Sequence, residues 1–286
     1  MRLNLRHRTG YRFDRPVFLE PHVVRLRPRA DGTLRLIETA LDIDPPPAVR
    51  AENLDLEGNA ITQVWFDGKT DHLLIESRST VETLRTHPFQ FLLDGSAGTL
   101  PYTYPADWNS LVSVYRTAPG QQLSPAVHGL AQAAAEAAEQ RRDRFPAVLT
   151  DRIHQCHKVE YREDGPPRDS DATLAIGSGA CRDLAVLFID CCRSVGLAAR
   201  FVSGYAHVDD SVEQEFHAWA EVYLPGGGWR GYDPTLGLAV ADRHVVVAAA
   251  ADPADAAGIS GTYRGSAVAT LESAVEIAVV RSEDVN

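Results

Sequence analysis

Three of the four cysteines stand within sixteen residues, 177–192, whose sequence is GSGACRDLAVLFIDCC. A thiol is a good nucleophile only as the thiolate, and both a helix N-terminus and a neighbouring imidazolium favour that form. Cys181 follows small, flexible residues and precedes an apolar run, so we expect it to begin a helix. There, glycines at 177 and 179 would let backbone approach a substrate, and the N–H groups of the first turn would receive an oxyanion. Cys181 is therefore the candidate nucleophile.

The other three cysteines are interpreted as packing residues. Cys191 and Cys192 lie about three turns further along the same predicted helix, and a free cysteine is a good small core residue. Cys156 falls near the apolar side of its own predicted helix. A metal site built on the HQCH segment is disfavoured, because only His154 and His157 share a face and no second cluster has ligand spacing. We expect no metal and no cofactor.

The base and its orienting acid are predicted on two neighbouring strands. His217 lies inside the strand-like segment FHAWAEVYL, and Asp233 ends the segment WRGYDPT. A hairpin pivoting on residues 224–226 pairs them directly and on one face, whereas a pivot centred on the glycines would separate them by several residues. The carboxylate would orient the imidazole, which would take the thiol proton. If His217 fails this geometry, His207 and His244 are the next candidates.

The elements that must position these residues form two regions. Residues 1–110 show two-residue alternation between turn-rich segments and no confident helix, so we predict an N-terminal antiparallel β domain. Residues 111–286 are predicted to form an α+β core in which helices pack on an antiparallel sheet. Its first helix begins at Pro125 with Ser124 as N-cap. The segment 164–179 has the composition of a loop. The further predicted elements of the core are helices near 149–157 and 181–195 and strands at 199–208, 216–224, 229–235, 244–250 and 269–280.

Composition excludes some classes of function. The chain has 286 residues, of which 44% are hydrophobic, and a net charge of -11, which argues against binding nucleic acid or an anionic membrane. Four cysteines are too few for a disulfide scaffold, so we expect a cytoplasmic protein. The first residues lack the apolar segment of a signal peptide, and no run predicts a membrane helix.

Together these segments resemble a known family. The stretch GSGACRDLAVLFIDCCRSVGLAARFVSGY, followed by HAWAEVYLPGGGWRGYDPT and DPADAAGISGTYRG, is similar to bacterial members of the transglutaminase-like superfamily. The segments HRTGYRFDRPV, RLRPR and LEGN resemble the β domain that precedes the core in those proteins. The resemblance implies a papain-like, transglutaminase-like core in which Cys181 is the nucleophile, His217 the base and Asp233 the orienting acid.

The expected function is amide-bond chemistry on a protein or peptide substrate, through an acyl-enzyme. We expect hydrolysis, as in a cysteine peptidase, because water is always present and transamidation needs a site that excludes it. Protein-glutamine transamidation or deamidation by the same triad is the alternative. A non-catalytic peptide-binding scaffold is a second alternative, whose signature would be loss of the triad.

Overall fold

The chain is described from a computed structural model that covers residues 1–94, 98–116, 123–162, 165–209 and 214–280. The helices within these ranges are α1 (Asn109–Val112), α2 (Pro125–Ala137), α3 (Phe145–Cys156), α4 (Ser170–Ile176) and α5 (Cys181–Ser194), with 3₁₀ turns at Ala106–Trp108, Ser113–Tyr115 and Pro253–Ala256. The strands are β1 (Arg2–Leu19), β2 (His22–Val24), β3 (Leu34–Asp44), β4 (Val49–Leu54), β5 (Ala60–Trp65), β6 (Thr70–Thr83), β7 (Lys158–Val159), β8 (Ser178–Gly179), β9 (Ala199–Ala206), β10 (Phe216–Leu224), β11 (Gly228–Asp233), β12 (Leu238–Ala239), β13 (His244–Ala250), β14 (Ile259–Ser260), β15 (Tyr263–Arg264) and β16 (Ala269–Val279).

The N-terminal region is the predicted antiparallel β structure. One sheet has the order β15-β1-β6-β3, with β16 also paired to β1, and the other has the order β14-β2-β5-β4. The alternation in β1 puts Leu3 and Leu5 inside and charged residues outside. The two sheets share a core of apolar side chains: Phe13, Val17, Leu19, Val24, Leu26, Val64, Phe66, Leu73 and Ile75.

The end of the chain returns to the N-terminal sheets. Strand β16 pairs with β1 from Leu3↔Val279 to Phe13↔Ala269, and β14 and β15 pair with β2 and β1. The division at residue 110 stays a prediction, but the strands after residue 258 lie in the N-terminal sheets. A second apolar cluster then joins the two regions, because Val275 and Ile277 of β16 pack with Tyr205 and Val245 of the core sheet.

The core confirms the predicted α+β arrangement. Its antiparallel sheet has the order β12-β11-β10-β9-β13, and α2, α3 and α5 share one apolar cluster with it. Helix α5 begins at Cys181, as predicted, and its apolar stripe from Leu184 to Cys191 is buried. Ser124 caps α2 by accepting a hydrogen bond from the Val127 N–H at 3.2 Å. Among the described residues, no helix has both the length and the apolar character required to cross a membrane.

The predicted loop at 164–179 was wrong in part, because it contains α4. Asp169 caps this helix by accepting a hydrogen bond from the Ala172 N–H at 2.7 Å, and Gly177 ends it with a φ of 71°. Seven residues rich in Ser, Asp and Ala give too short an apolar pattern for periodicity to reveal a helix. Residue 164, the first of that predicted loop, lies outside the described residues.

Candidate active site

Cys181 is the first residue of α5, and the fold holds its backbone in place. The carboxylate of Asp183 accepts a hydrogen bond from the Ala180 N–H at 3.0 Å, which caps the helix from within its first turn. A Cβ at Gly179 would lie 2.9 Å from the Cβ of Asp183, so that glycine is required for this packing. The thiol itself is partly exposed. A partly exposed thiol at a helix N-terminus is the environment typical of reactive cysteines.

Asp183 also ties the segment before α4 to the helix start. Its buried Oδ1 accepts hydrogen bonds from the Arg162 guanidinium at 2.6 Å and from the Arg168 N–H at 2.8 Å. The Arg168 side chain forms an ion pair with Glu160 at 3.0 Å. One buried carboxylate therefore positions both the helix that begins at Cys181 and the loop beside it.

His217 and Asp233 are in direct contact. His217 Nε2 lies 2.7 Å from Asp233 Oδ2, and the fully buried carboxylate is fixed through Oδ1 by the N–H groups of Thr235 and Leu236 at 2.9 and 3.1 Å. A carboxylate only accepts, so the His217 Nε2 carries the proton in this bond. In the neutral imidazole the other ring nitrogen, Nδ1, then carries the lone pair.

A third residue at this carboxylate was missed as a partner. His244 Nε2 lies 3.0 Å from the same Asp233 Oδ2, and its ring is buried against Trp219 with centroids 5.1 Å apart. From the sequence, His244 was expected only as an alternative candidate for the base. The structure places it instead on the same carboxylate oxygen as His217, the candidate base.

The charges of this cluster reinforce one another. Burial disfavours the imidazolium of His217, but the charge and hydrogen bond of Asp233, with a side-chain hydrogen bond to Cys181, outweigh it and raise the His217 pKa well above its usual value. Burial likewise disfavours the Asp233 carboxylate, but His217 and then His244 hold the pKa of Asp233 well below its usual value. The site therefore stabilises an imidazolium next to a carboxylate.

The hairpin register differs from the one that would pair His217 with Asp233 directly. The pairs Ala220↔Tyr232 and Leu224↔Gly228 centre the turn on Gly226, two residues away from direct pairing of His217 with Asp233. An error of two residues preserves the face, so the two side chains still meet diagonally.

Helix α5 packs on one face of the core sheet, and His217 belongs to the other face. The helix shares an apolar cluster with Ala218 and Ala220, whereas Trp219, two residues from His217 on the same strand, lies in a separate cluster. Cys181 stands at the start of α5 and His217 near the start of β10, and both line the same cleft. Because each lies at an end of its element, the two can share a cleft although α5 packs on the other sheet face.

The remaining cysteines divide into two kinds. Cys191 and Cys192 are fully buried, as predicted, and burial raises both their pKa values far above the usual one. Cys156 is exposed, so its predicted packing role is wrong: it is the last residue of α3, where the apolar side no longer meets the core. In the described part of the chain, no three His, Cys, Asp or Glu side chains form a group able to hold a metal ion.

Comparisons with known proteins agree with this architecture. Residues 129–234 match the family model described as "Transglutaminase-like superfamily", and residues 3–82 match "Bacterial transglutaminase-like N-terminal region". An uncharacterized protein of Mycobacterium leprae is 28% identical, covering 96% of this chain and 98% of its own length, and one of Mycobacterium tuberculosis is 26% identical, covering 96% and 92%. The solved structure of a "putative cysteine protease" from Cytophaga hutchinsonii superposes with a TM-score of 0.72 at 21% identity, covering 99% of this chain and 91% of that one.

Proposed function

Because the chain belongs to the transglutaminase-like superfamily, with a bacterial transglutaminase-like N-terminal region before its core, we propose that it is a cysteine-dependent enzyme that hydrolyses amide bonds of proteins or peptides. Cys181 is the nucleophile, His217 the base and Asp233 the orienting acid. The observation that carries this proposal is the 2.7 Å contact of His217 with Asp233, on a cleft that Cys181 and His217 both line. The Cytophaga hutchinsonii protein whose structure superposes on this chain is termed a "putative cysteine protease", which agrees with the proposal.

The proposed reaction begins with proton transfer. His217 Nδ1 takes the Cys181 proton, and the thiolate attacks the carbonyl carbon of the substrate amide. The helix N-terminus offers N–H groups and the positive end of its dipole to the oxyanion that develops. The imidazolium then returns its proton to the nitrogen of the breaking C–N bond, so an amine departs and a thioester remains on Cys181.

The thioester is resolved by water. His217 accepts a proton from the water as its oxygen attacks the thioester carbon, and the carboxylic acid and free thiol are released. Asp233 stays ionised throughout and keeps Nε2 protonated, which leaves Nδ1 as the working nitrogen in both half-reactions. If an amine attacked the thioester in place of water, the reaction would be transamidation. If the amide were a glutamine side chain and water attacked, the reaction would be deamidation.

Incubation with a mixed pool of peptides and a primary amine, read by mass spectrometry, tests the proposal. We expect cleaved peptides that depend on Cys181, so Cys181→Ala should produce none. Cys156→Ala is the matched control, since it removes an exposed thiol outside the site and should leave the products unchanged. Amine adducts on glutamine would instead indicate transamidation, and uncleaved peptides with deamidated glutamine would indicate deamidation. The same product pattern from Cys181→Ala would contradict the whole assignment.

A further inference from the structure

The cavity beside Cys181 has walls from both regions of the chain. It has a volume of about 720 Å³, within the range of roughly 300–1,000 Å³ typical of ligand sites, and Cys181 and His217 lie on its lining. Strands β1 and β16 of the N-terminal sheet supply one wall. We propose that this cleft binds a bulky apolar side chain of a polypeptide substrate next to the reacting residue, and that Tyr11 and Leu271 recognise it; this rests on the proposed function.

The N-terminal wall presents apolar surface. Tyr11 and Leu271 are cross-strand partners in the β1–β16 pairing, and both are half-buried side chains on the cleft. Ile259, from β14, lies beside them on the same lining. Paired side chains on one face of a sheet act as a unit, so this wall is a fixed surface and not a loose loop.

The opposite wall is apolar too. Val186 of α5 and Phe201 of β9 line it, together with Phe216, which directly precedes His217. Phe216 also packs against the ring of His7 with centroids 5.1 Å apart. The apolar walls thus lead up to the residue next to the candidate base.

The charged residues of the lining are engaged by the protein itself. Arg168 pairs with Glu160 at 3.0 Å, and Arg182 donates to the Arg162 carbonyl at 2.8 Å. Asp169 and Asp252 each accept a hydrogen bond from a backbone N–H two or three residues on, at 2.7 and 2.9 Å. A charged substrate group would therefore compete with these partners, whereas an apolar one leaves them intact.

His7, a second histidine on the lining of this cleft, is neutral. Burial lowers the pKa of His7 to about 4, and its two ring nitrogens contact the Tyr205 hydroxyl at 3.1 Å and the Thr9 hydroxyl at 3.0 Å. At neutral pH the ring therefore adds polar but uncharged surface, already hydrogen-bonded. A largely apolar cleft whose charged lining residues are already engaged by the protein favours an apolar occupant.

Matched peptide electrophiles test the assignment on the full chain. N-acetyl-Phe-Gly, N-acetyl-Gly-Gly and N-acetyl-Glu-Gly chloromethyl ketones place the same reactive group at Cys181 and differ only in the neighbouring side chain. We expect the Phe probe to label Cys181 about tenfold or more faster than the Gly and Glu probes, because burying such a side chain contributes about 1.5–3 kcal/mol. Tyr11→Ala and Leu271→Ala should each lower that ratio at least threefold, while Leu54→Ala, an exposed leucine of β4, should not.

Iodoacetamide labelling of Cys181 separates this inference from the proposed function. The Tyr11→Ala and Leu271→Ala variants should keep the wild-type iodoacetamide rate, which also shows that they are folded. A normal iodoacetamide rate with equal rates for the three probes, or with a ratio unchanged in both variants, overturns the apolar subsite and leaves the nucleophile standing. Failure of iodoacetamide to modify wild-type Cys181 overturns the nucleophile, and the subsite with it.

Discussion

His217 and His244 donate hydrogen bonds to one and the same oxygen, Oδ2 of Asp233, at 2.7 and 3.0 Å. The other oxygen of that carboxylate is held by two backbone N–H groups, so all four bonds fix its orientation. The contacts of His244 are with Asp233 and Trp219. We therefore interpret His244 as a residue that positions Asp233. Asp233 therefore links two imidazoles, of which His217 lines the same cleft as the thiol of Cys181.

Replacing His244 should weaken this orientation. His244→Leu removes a donor to a buried carboxylate, a bond worth about 1.5–3 kcal/mol, and should lower kcat roughly 10- to 100-fold. His244→Gln, whose amide can still donate, should recover part of the loss. The measurement is kcat on a peptide that the wild-type protein cleaves, with exposed His87→Gln as the matched control. Wild-type kcat in His244→Leu would mean that the bond has no part in the chemistry.

Asp233→Asn should shift the pH dependence as well as the rate. The leaving amine needs a protonated His217, so activity is lost as pH rises through the pKa of His217. The Asp233 charge helps to raise that pKa against the effect of burial, so neutralising it moves the alkaline limb of kcat to lower pH. We expect kcat to fall about 10²- to 10⁴-fold, with residual activity from a less well-oriented imidazole. An alkaline limb at the wild-type pH would refute the electrostatic role of Asp233.

Cys181 should react faster than the more exposed Cys156. Cys181 begins α5, where the helix dipole favours a thiolate and His217 is its partner, whereas Cys156 ends α3, where the dipole disfavours one. Brief iodoacetamide treatment of the native protein, followed by peptide mapping, should show roughly tenfold or greater preference for Cys181. His217→Ala should reduce that preference. Equal labelling of both thiols in the wild-type protein would count against Cys181 as nucleophile.

Asp183→Asn should destabilise the protein and loosen the start of α5. Asp183 is fully buried and accepts from Arg162, Arg168 and Ala180, and a neutral amide cannot replace all three bonds. We expect the free energy of unfolding, measured in urea, to fall by about 1.5–3 kcal/mol. Exposed Asp151→Asn on α3 is the control and should stay within about 0.5 kcal/mol of wild type. Equal stability of the two variants would show that the capping network is dispensable.

Local patterns predicted the elements of the site, because each depends on neighbouring residues. The apolar stripe from Leu184 onward fixes α5 and so places Cys181 at its start. His217 and Asp233 stayed on one face although the register was off by two, since the side-chain period of a strand is two. These three residues were therefore named from sequence alone.

The order of the strands in the sheets could not be predicted from local sequence patterns. His244 lies on β13, at the opposite edge of the core sheet from β11–β12, and no local pattern says that it will reach Asp233. The same holds for β16, whose pairing with β1 depends on apolar contacts between distant segments. Tertiary packing decides both, so the positioning histidine and the N-terminal wall of the cleft became visible only in the structure.

The β1–β16 pairing also sets an order of events during biosynthesis. Arg6 and Glu276 bond across these strands although they are 270 positions apart in the sequence. Such a closure has an entropic cost and requires β16 to have left the ribosome. A nascent chain that already contains Cys181, His217 and Asp233 still lacks Leu271 and the β16 part of the cleft wall. That wall is therefore completed only after the thiol and its partners have been made.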